Sequence, residues 1–156
     1  SLGRCDELTF EKINFLVECG ASPSEIANKL LRRDSLAKYR IIPKVLDSLE
    51  LYKEGEVASI IAKEEWFKQT GAHNRDCEDA LDMVMSIAIV RIAIFVRVVN
   101  TVSRVSLRSK GQIDVSKVAG KFGGGGHYNA SGCTIETLDV EKAKEIVLKE
   151  IFEIYK

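Results

Sequence analysis

The sequence predicts an α/β protein, a mixed β-sheet flanked by helices and preceded by an N-terminal helical segment. Three observations carry that expectation. Apolar residues recur at helical spacing through the first third of the chain. From Glu56 onward, short apolar runs and two-residue alternation interleave with helical stretches. With 156 residues, 46% hydrophobic and 29% charged, the chain can also bury a core without disulfide or metal support.

Residues 1–53 read as a helical connector. Thr9 is placed to N-cap a helix carrying Phe10, Ile13, Leu16 and Val17 on one face, with Gly20 as its stop. Ser22-Pro23-Ser24-Glu25 has the form of a capping box with Pro at the first helical position. Its Ser oxygen and Glu carboxylate can satisfy backbone N–H groups that have no partner inside the helix. Ile26, Ala27, Leu30 and Leu31 are the expected buried stripe of that helix. A third helix, over 35–51, is expected to bury Tyr39, Ile42, Leu46 and Leu49, with a kink or restart near Ile42 caused by Pro43.

Residues 54–156 read as the α/β domain. Val57-Ala58-Ser59-Ile60-Ile61-Ala62 looks like a buried strand, followed by a short helix that carries Trp66 and ends near Gly71. The acidic segment 76–82 suits another helix, with carboxylates near its positive end. In 91–98, Ile92, Ile94, Val96 and Val98 share one strand face, and Arg91, Ala93, Phe95 and Arg97 the other. Asn100-Thr101 is a turn into a second strand, 102–109. There Val105 and Leu107 face one side, and Arg104, Ser106 and Arg108 the other. Asp114 caps a helix with Val115, Val118, Ala119 and Phe122 at i, i+3, i+4 and i+7, which runs into Gly123-Gly124-Gly125-Gly126-His127. A strand over 132–136 and a helix over 139–155 complete the chain.

Composition narrows the function. Lys plus Arg (23) equals Asp plus Glu (23), so global charge gives no support for a nucleic-acid partner, although a local basic site survives that balance. Cys5, Cys19, Cys77 and Cys133 form no CxxC and no cluster, which points to reduced thiols rather than a zinc knuckle or a disulfide scaffold. The most apolar stretch, 83–99, is interrupted by Ser86, Arg91 and Arg97 and falls short of the ~20 apolar residues of a membrane span. A cytoplasmic protein with no membrane contact is the expectation. Trp66 and Phe67 read as packing residues, and no Ser-His-Asp spacing or paired base activates a nucleophile.

The glycine run carries the chemistry. A helix C-cap needs one glycine. Four in a row each lose about 0.5–1 kcal/mol relative to Ala. Backbone N–H groups without a Cβ can approach an anion closely, with His127 as a ring donor at the edge; a turn before a strand is the other reading. Ser106-Leu107-Arg108-Ser109-Lys110 ends a strand just upstream, and Arg108 offers a planar fork suited to phosphate. Two anion-seeking elements separated by one helix favour a shared phosphate site.

Ser106-Leu107-Arg108-Ser109, Asp114-Val115, Phe122-Gly123-Gly124-Gly125-Gly126-His127 and Asn129-Ala130-Ser131-Gly132 together strongly resemble the DHH-associated C-terminal domain. That domain belongs to the DHH phosphoesterase superfamily, and the branch it most resembles is the nano-RNase/pAp-phosphatase (RecJ-like) oligoribonucleases. Gly20-Ala21-Ser22-Pro23, Ile26-Ala27 and Leu49-Glu50-Leu51-Tyr52 extend the resemblance upstream. It implies a two-part 3′-to-5′ oligoribonuclease or pAp phosphatase, in which an N-terminal domain holds two divalent ions, usually manganese, and the C-terminal domain grips the substrate. Carried over by motif, Arg108, Gly124, Gly125, Gly126 and His127 contact phosphate, with Ser106, Ser109 and Asn129 as helpers. Short RNA, an oligonucleotide or a nucleotide phosphate is the implied partner, and a homodimer is left open.

The sequence departs from the family in lacking an Asp-His-His tripeptide, and its two histidines cannot build a two-metal site. No catalytic or metal-ligating residue is therefore expected here; manganese belongs to the absent DHH domain, and the chain alone should hydrolyse nothing. Since it does not open on Met, it is read as the C-terminal part of a two-domain hydrolase. Asp76 and Glu78 fall where the family often has Asp-x-Glu, but Asp79 and Asp82 replace a frequent Gly and Asn, and the segment reads as an acidic, solvated helix start. His73 and Cys77 read as a surface pair. Two rival functions stand beside this one: a nucleic-acid-binding module resembling the alanyl-tRNA synthetase C-terminal domain, and a non-catalytic regulatory or interaction domain.

Overall fold

The computed structural model describes residues 6–31 and 34–155. By its contacts the chain divides into two compact units, Ser1–Ser35 and Leu36–Lys156.

The first unit contains helices α1 (Glu7–Glu18) and α2 (Pro23–Leu31). Asp6, not Thr9, is the N-cap of α1: its Oδ1 accepts from Thr9 N at 2.8 Å and from Thr9 Oγ1 at 2.6 Å. The acidic side chain three residues upstream captures the free amide, so the helix begins earlier than Thr9. At the start of α2, Ser22 Oγ accepts from Glu25 N at 3.4 Å. The expected buried stripe is absent, since neither helix buries a residue and Leu30 and Leu31 are exposed. Two short helices have too little surface to enclose one another. Ile13, Leu16, Val17, Ile26, Ala27 and Leu30 instead line an open apolar groove.

The second unit holds α3 (Leu36–Asp47), β1 (Glu50–Tyr52), β2 (Val57–Ala62), α4 (Glu64–Thr70), α5 (Asp79–Met85), β3 (Ile92–Val99), β4 (Val102–Ser109), α6 (Val115–Lys121), β5 (Gly125–His127), β6 (Ala130–Ile135) and α7 (Val140–Ile154). Its six strands form one sheet in the order β1-β2-β3-β4-β6-β5. The β2–β3 pair is parallel and the other pairs are antiparallel. The expected mixed sheet flanked by helices is thus the observed architecture.

Helix α3 ends at Asp47 rather than at 51, because Glu50–Tyr52 leaves it to pair with β2 as an edge strand. Its buried residues are Ile41 and Val45; Ile42, Leu46 and Leu49 pack at the margin, and Tyr39 is exposed. The helix continues unbroken through Pro43. Pro43 and Tyr39 are both exposed, where water can take the carbonyl that the proline ring leaves unbonded. The acidic helix also starts later than expected: Asn74–Cys77 is a 3-10 turn, with α5 following at Asp79. The turn forms because the Asp76 carboxylate accepts from His73 N at 2.7 Å, closing a local cap.

Strand β3 is central, and every residue from Ile92 to Arg97 is buried. Ile92, Ile94 and Val96 face a core shared with Val105, Leu107, Val115, Val118, Val147 and Ile151, so α6 and α7 cover that side. Ala93 and Phe95 face a second core with Ile41, Val45, Ala80, Leu81 and Val84, contributed by α3 and α5. Trp66 packs against both cores and Phe67 against the second. The helices of this second layer cover β2 and β3, while polar side chains of β4, β6 and β5 line a cleft on the same face. No helix among the described residues is long and apolar enough to cross a membrane.

Candidate functional site: an arginine-lined cleft

The cleft has a volume of about 470 Å³ and is lined mainly by Arg97, Arg104, Ser106, Arg108, Gly125 and His127, with Glu78 at its margin. Strand register explains why these side chains meet. The two-residue turn Asn100-Thr101, with Asn100 in the left-handed region at φ 57, aligns β3 and β4 so that Arg97 faces Arg104 and Phe95 faces Ser106. Strand β6 then sets Ala130 beside Arg108 and Gly132 beside Ser106. Strand β5 completes the rows, with His127 paired to Ala130 and Gly125 to Gly132. Arg108 and His127 therefore flank Ala130 in one row, Ser106 and Gly125 flank Gly132 in the next, and Arg97 and Arg104 form a third.

The glycine run is half strand. Gly124 N donates to Ala119 O at 2.9 Å as α6 ends, and Gly125–His127 then pairs with β6 as an edge strand absent from the sequence expectation. Close backbone approach is what requires the glycines. A Cβ on Gly124 would lie 2.2 Å from Gly132 O, and one on Gly126, at φ +145, would lie 2.6 Å from Ala130 O. A Cβ on Gly125 would meet nothing within 4 Å, and this glycine opens onto the cleft. Gly124 opens instead onto a smaller recess bounded by Phe122, Gly123 and Cys133.

Ser109 and Asn129 hold the frame. Ser109 is buried, and its Oγ donates to Ile113 O at 2.6 Å. Asn129 Nδ2 donates to Ser109 Oγ at 2.9 Å and to Gly111 O at 3.0 Å, tying the β4–α6 loop to the start of β6. Neither side chain lines the cleft. Of the expected site residues, the cleft brings together Arg108, Ser106, Gly125 and His127.

Arg97 and Arg104 were missing from the expected set. Counting outward from the Asn100-Thr101 turn pairs 99 with 102 and 97 with 104, so the sequence held the signal. Arg97 is only 9% exposed along its side chain, and its guanidinium lies 5.0 Å from the Phe95 ring centroid. Burial pushes its pKa down.

The acidic segment is more than a solvated helix start. Glu78 Oε1 lies 3.6 Å from Arg97 Nη2, and Asp82 Oδ1 lies 3.9 Å from Arg108 Nε. Asp79 instead pairs with Lys38. The expected His73–Cys77 surface pair is also corrected. Cys77 is fully buried in the second core and burial pushes its thiol up to about 11, while His73 caps the 3-10 turn. Cys133 is likewise buried, Cys19 is exposed, and Cys5 lies outside the described residues. Among the described residues no group of three or more His, Cys, Asp or Glu side chains is placed to hold a metal ion.

The chain is similar to known proteins over most of its length. The chain is 28% identical over 138 residues to the bifunctional oligoribonuclease and PAP phosphatase NrnA of Thermus thermophilus, an alignment covering 88% of this chain and 41% of that protein. It is 48% identical over 52 residues to oligoribonuclease NrnB of Bacillus subtilis, covering 33% of this chain and 12% of that one. The crystal structure of an exopolyphosphatase-related protein from Bacteroides fragilis superposes with a TM-score of 0.85 at 27% identity, over 96% of this chain and 44% of that chain. The chain thus spans less than half the length of these relatives. Residues 45–155, the part that contains the whole sheet and its cleft, match the DHHA1 domain, and the chain belongs to that family.

Proposed function

We propose that this chain is the substrate-binding part of a DHH-type phosphoesterase, with the cleft holding a phosphate of a short oligoribonucleotide or a nucleotide such as PAP. One observation carries the reading: the row Arg108–Ala130–His127 sets a guanidinium and an imidazole on either side of one residue, at the mouth of a polar cleft. Neighbouring strands lie about 4.8 Å apart, so the two backbones stand about 10 Å apart, a gap that two long side chains and one phosphate can bridge. Arg108 supplies a fork for two phosphate oxygens and His127 a ring N–H. The names of the Thermus and Bacillus relatives support the choice of ligand.

The described residues do not fit a two-metal centre, so no hydrolytic step is assigned to them. The chain's contribution is positional. Holding a chain end against a reactive centre supplied by a separate domain lowers the entropic part of the barrier. Manganese, as the family resemblance implies, would be bound by that other domain, as would the activated water.

The test is calorimetric titration of the full chain with PAP and with two- to five-nucleotide RNA. Arg108→Ala should weaken both about tenfold or more, since a hydrogen bond to a charged group is worth about 1.5–3 kcal/mol, and His127→Ala should weaken them less. Equal affinities in the wild type and both variants would remove the proposed site. Preferential binding of long structured RNA with a steep salt dependence would favour a nucleic-acid module instead.

A further inference from the structure

We propose that Tyr155, at the C-cap of α7, is a positioning residue for His127, acting through one peptide group at the start of α6. This rests on the cleft being a phosphate site, and it adds a residue that lies outside that cleft. Tyr155 packs against the core that α6 and α7 cover, whereas the cleft opens on the sheet face that α3 and α5 share.

The turn that carries His127 needs support from outside. His127 pairs with Ala130, so Tyr128 and Asn129 form a two-residue hairpin turn between β5 and β6. Such turns match the twist of their strands when a corner residue has a positive φ. Neither Tyr128 nor Asn129 has one. Strand β5 is also three residues long and lies at the edge of the sheet, beside β6. Hydrogen bonds from other segments therefore set its place. Ser109 N donates to Asn129 O at 3.1 Å, and Val115 N donates to Tyr128 O at 2.9 Å.

The second of these bonds leads to Tyr155. Asp114 O and Val115 N belong to one peptide group, which is planar and moves as a unit. Tyr155 Oη donates to Asp114 O at 2.5 Å, while the N–H of the same group holds Tyr128 O. Hydrogen bonds in series polarise one another, so the first strengthens the second. Tyr155 is fixed in turn by Lys53, whose Nζ donates to its carbonyl at 2.5 Å from the β1–β2 turn. Burial, with Asp114 close by, pushes the Tyr155 phenol above its ordinary value, so the donor keeps its proton. Without that hydroxyl the Asp114–Val115 peptide can tilt, and Tyr128 and the adjoining His127 lose a fixed point. Arg108 keeps its place, because β4 is paired on both sides.

The experiment titrates the full chain with adenosine 5′-monophosphate in the wild type, Tyr155→Phe, His127→Ala and Arg108→Ala, and in Tyr155→Phe combined with each of the other two. Tyr155→Phe keeps the ring in the core and removes only the donor. It should weaken the monophosphate about threefold, within the value of one hydrogen bond and no more than His127→Ala does. Added to Arg108→Ala, it should again cost about threefold. Added to His127→Ala, it should cost less than about 1.5-fold, because residues that act through one another are not additive. An equal loss in all three backgrounds would mean a merely structural role and overturn the proposal. So would an unchanged affinity in Tyr155→Phe beside a weakened one in His127→Ala, a result that leaves the phosphate site standing. If neither His127→Ala nor Arg108→Ala alters the affinity, the phosphate reading of the cleft fails, and the positioning role with it.

Discussion

Asp82, on the exposed side of α5, brings Oδ1 to 3.9 Å from Nε of Arg108, on β4. One turn earlier, Glu78 does the same to Arg97 at 3.6 Å. Helix α5 and its N-cap residue Glu78 therefore set a carboxylate against each of the two rows of the cleft that carry arginines. Both carboxylates are more than half exposed, so solvent and salt screen them and they neutralise the guanidiniums only in part.

It follows that removing either charge should strengthen anion binding. Asp82→Asn should tighten the affinity for adenosine 5′-monophosphate about two- to fivefold at low salt, with the gain shrinking towards 0.5 M salt. Titration at two ionic strengths checks this; a weaker affinity in Asp82→Asn would mean that the carboxylate positions Arg108 rather than competing for it.

The glycines make separable demands. Gly124→Ala and Gly126→Ala force a Cβ into the β6 backbone and should each cost about 1–3 kcal/mol in urea unfolding. Gly125→Ala meets open space and should leave the unfolding midpoint nearly unchanged. Equal losses at all three positions would contradict the β5–β6 pairing.

Lys144 ties α7 to the edge strand. Its Nζ donates to Glu50 Oε1 at 2.8 Å and lies 2.7 Å from Glu141 Oε2. Burial alone would lower its pKa, but the bonds to Glu141 and Glu50 outweigh burial and raise it. Lys144→Ala should destabilise the fold by about 1–3 kcal/mol, below the figure for a fully buried pair because both carboxylates reach water.

The same bond from Lys144, with a second from Tyr52, holds Glu50 below its ordinary value of 4.5. In the acid range the folded state therefore binds fewer protons than the unfolded one. The contribution of Glu50 is present above pH 4.5 and is lost as pH falls through its lower folded pKa. Melting temperatures from pH 6 to 3 should fall more steeply for the wild type than for Glu50→Gln; parallel curves would dismiss the linkage.

Thiol reactivity reads out the two cores. Burial pushes Cys77 and Cys133 up to about 11, so little thiolate exists at pH 8. Brief alkylation at pH 8 followed by peptide mapping should label Cys19, which is exposed, and leave Cys77 and Cys133 unmodified until urea is added. Early labelling of Cys77 would place it outside the core.

Periodicity made most elements legible. The alternation in 91–109 separates two strand faces, and the structure uses both: Ile92, Ile94 and Val96 face one core, Ala93 and Phe95 the other. Asp114 caps its helix as expected, and Asp139, expected as the first residue of the last helix, is its N-cap. Short elements were missed because two or three residues carry no period. Glu50–Tyr52 exists through its partner β2, and Gly125–His127 through β6. Thr9 lost its capping role to Asp6 because both side chains suit it and only the path of the backbone chooses between them.

What the sequence determined by itself was local: where helices and strands run, which side of each strand is polar, and that Arg108 and His127 bracket a glycine-rich return. Tertiary structure alone decided that helices of the second layer cover β2 and β3 while a polar cleft opens beside them, and that Glu78 and Asp82 reach its arginines. It likewise gave Ser109 and Asn129 to the frame rather than to the cleft. The physical reason is range. Backbone periodicity and capping act over a few neighbouring residues, whereas burial and ion pairing depend on segments that meet only after the sheet has set its register.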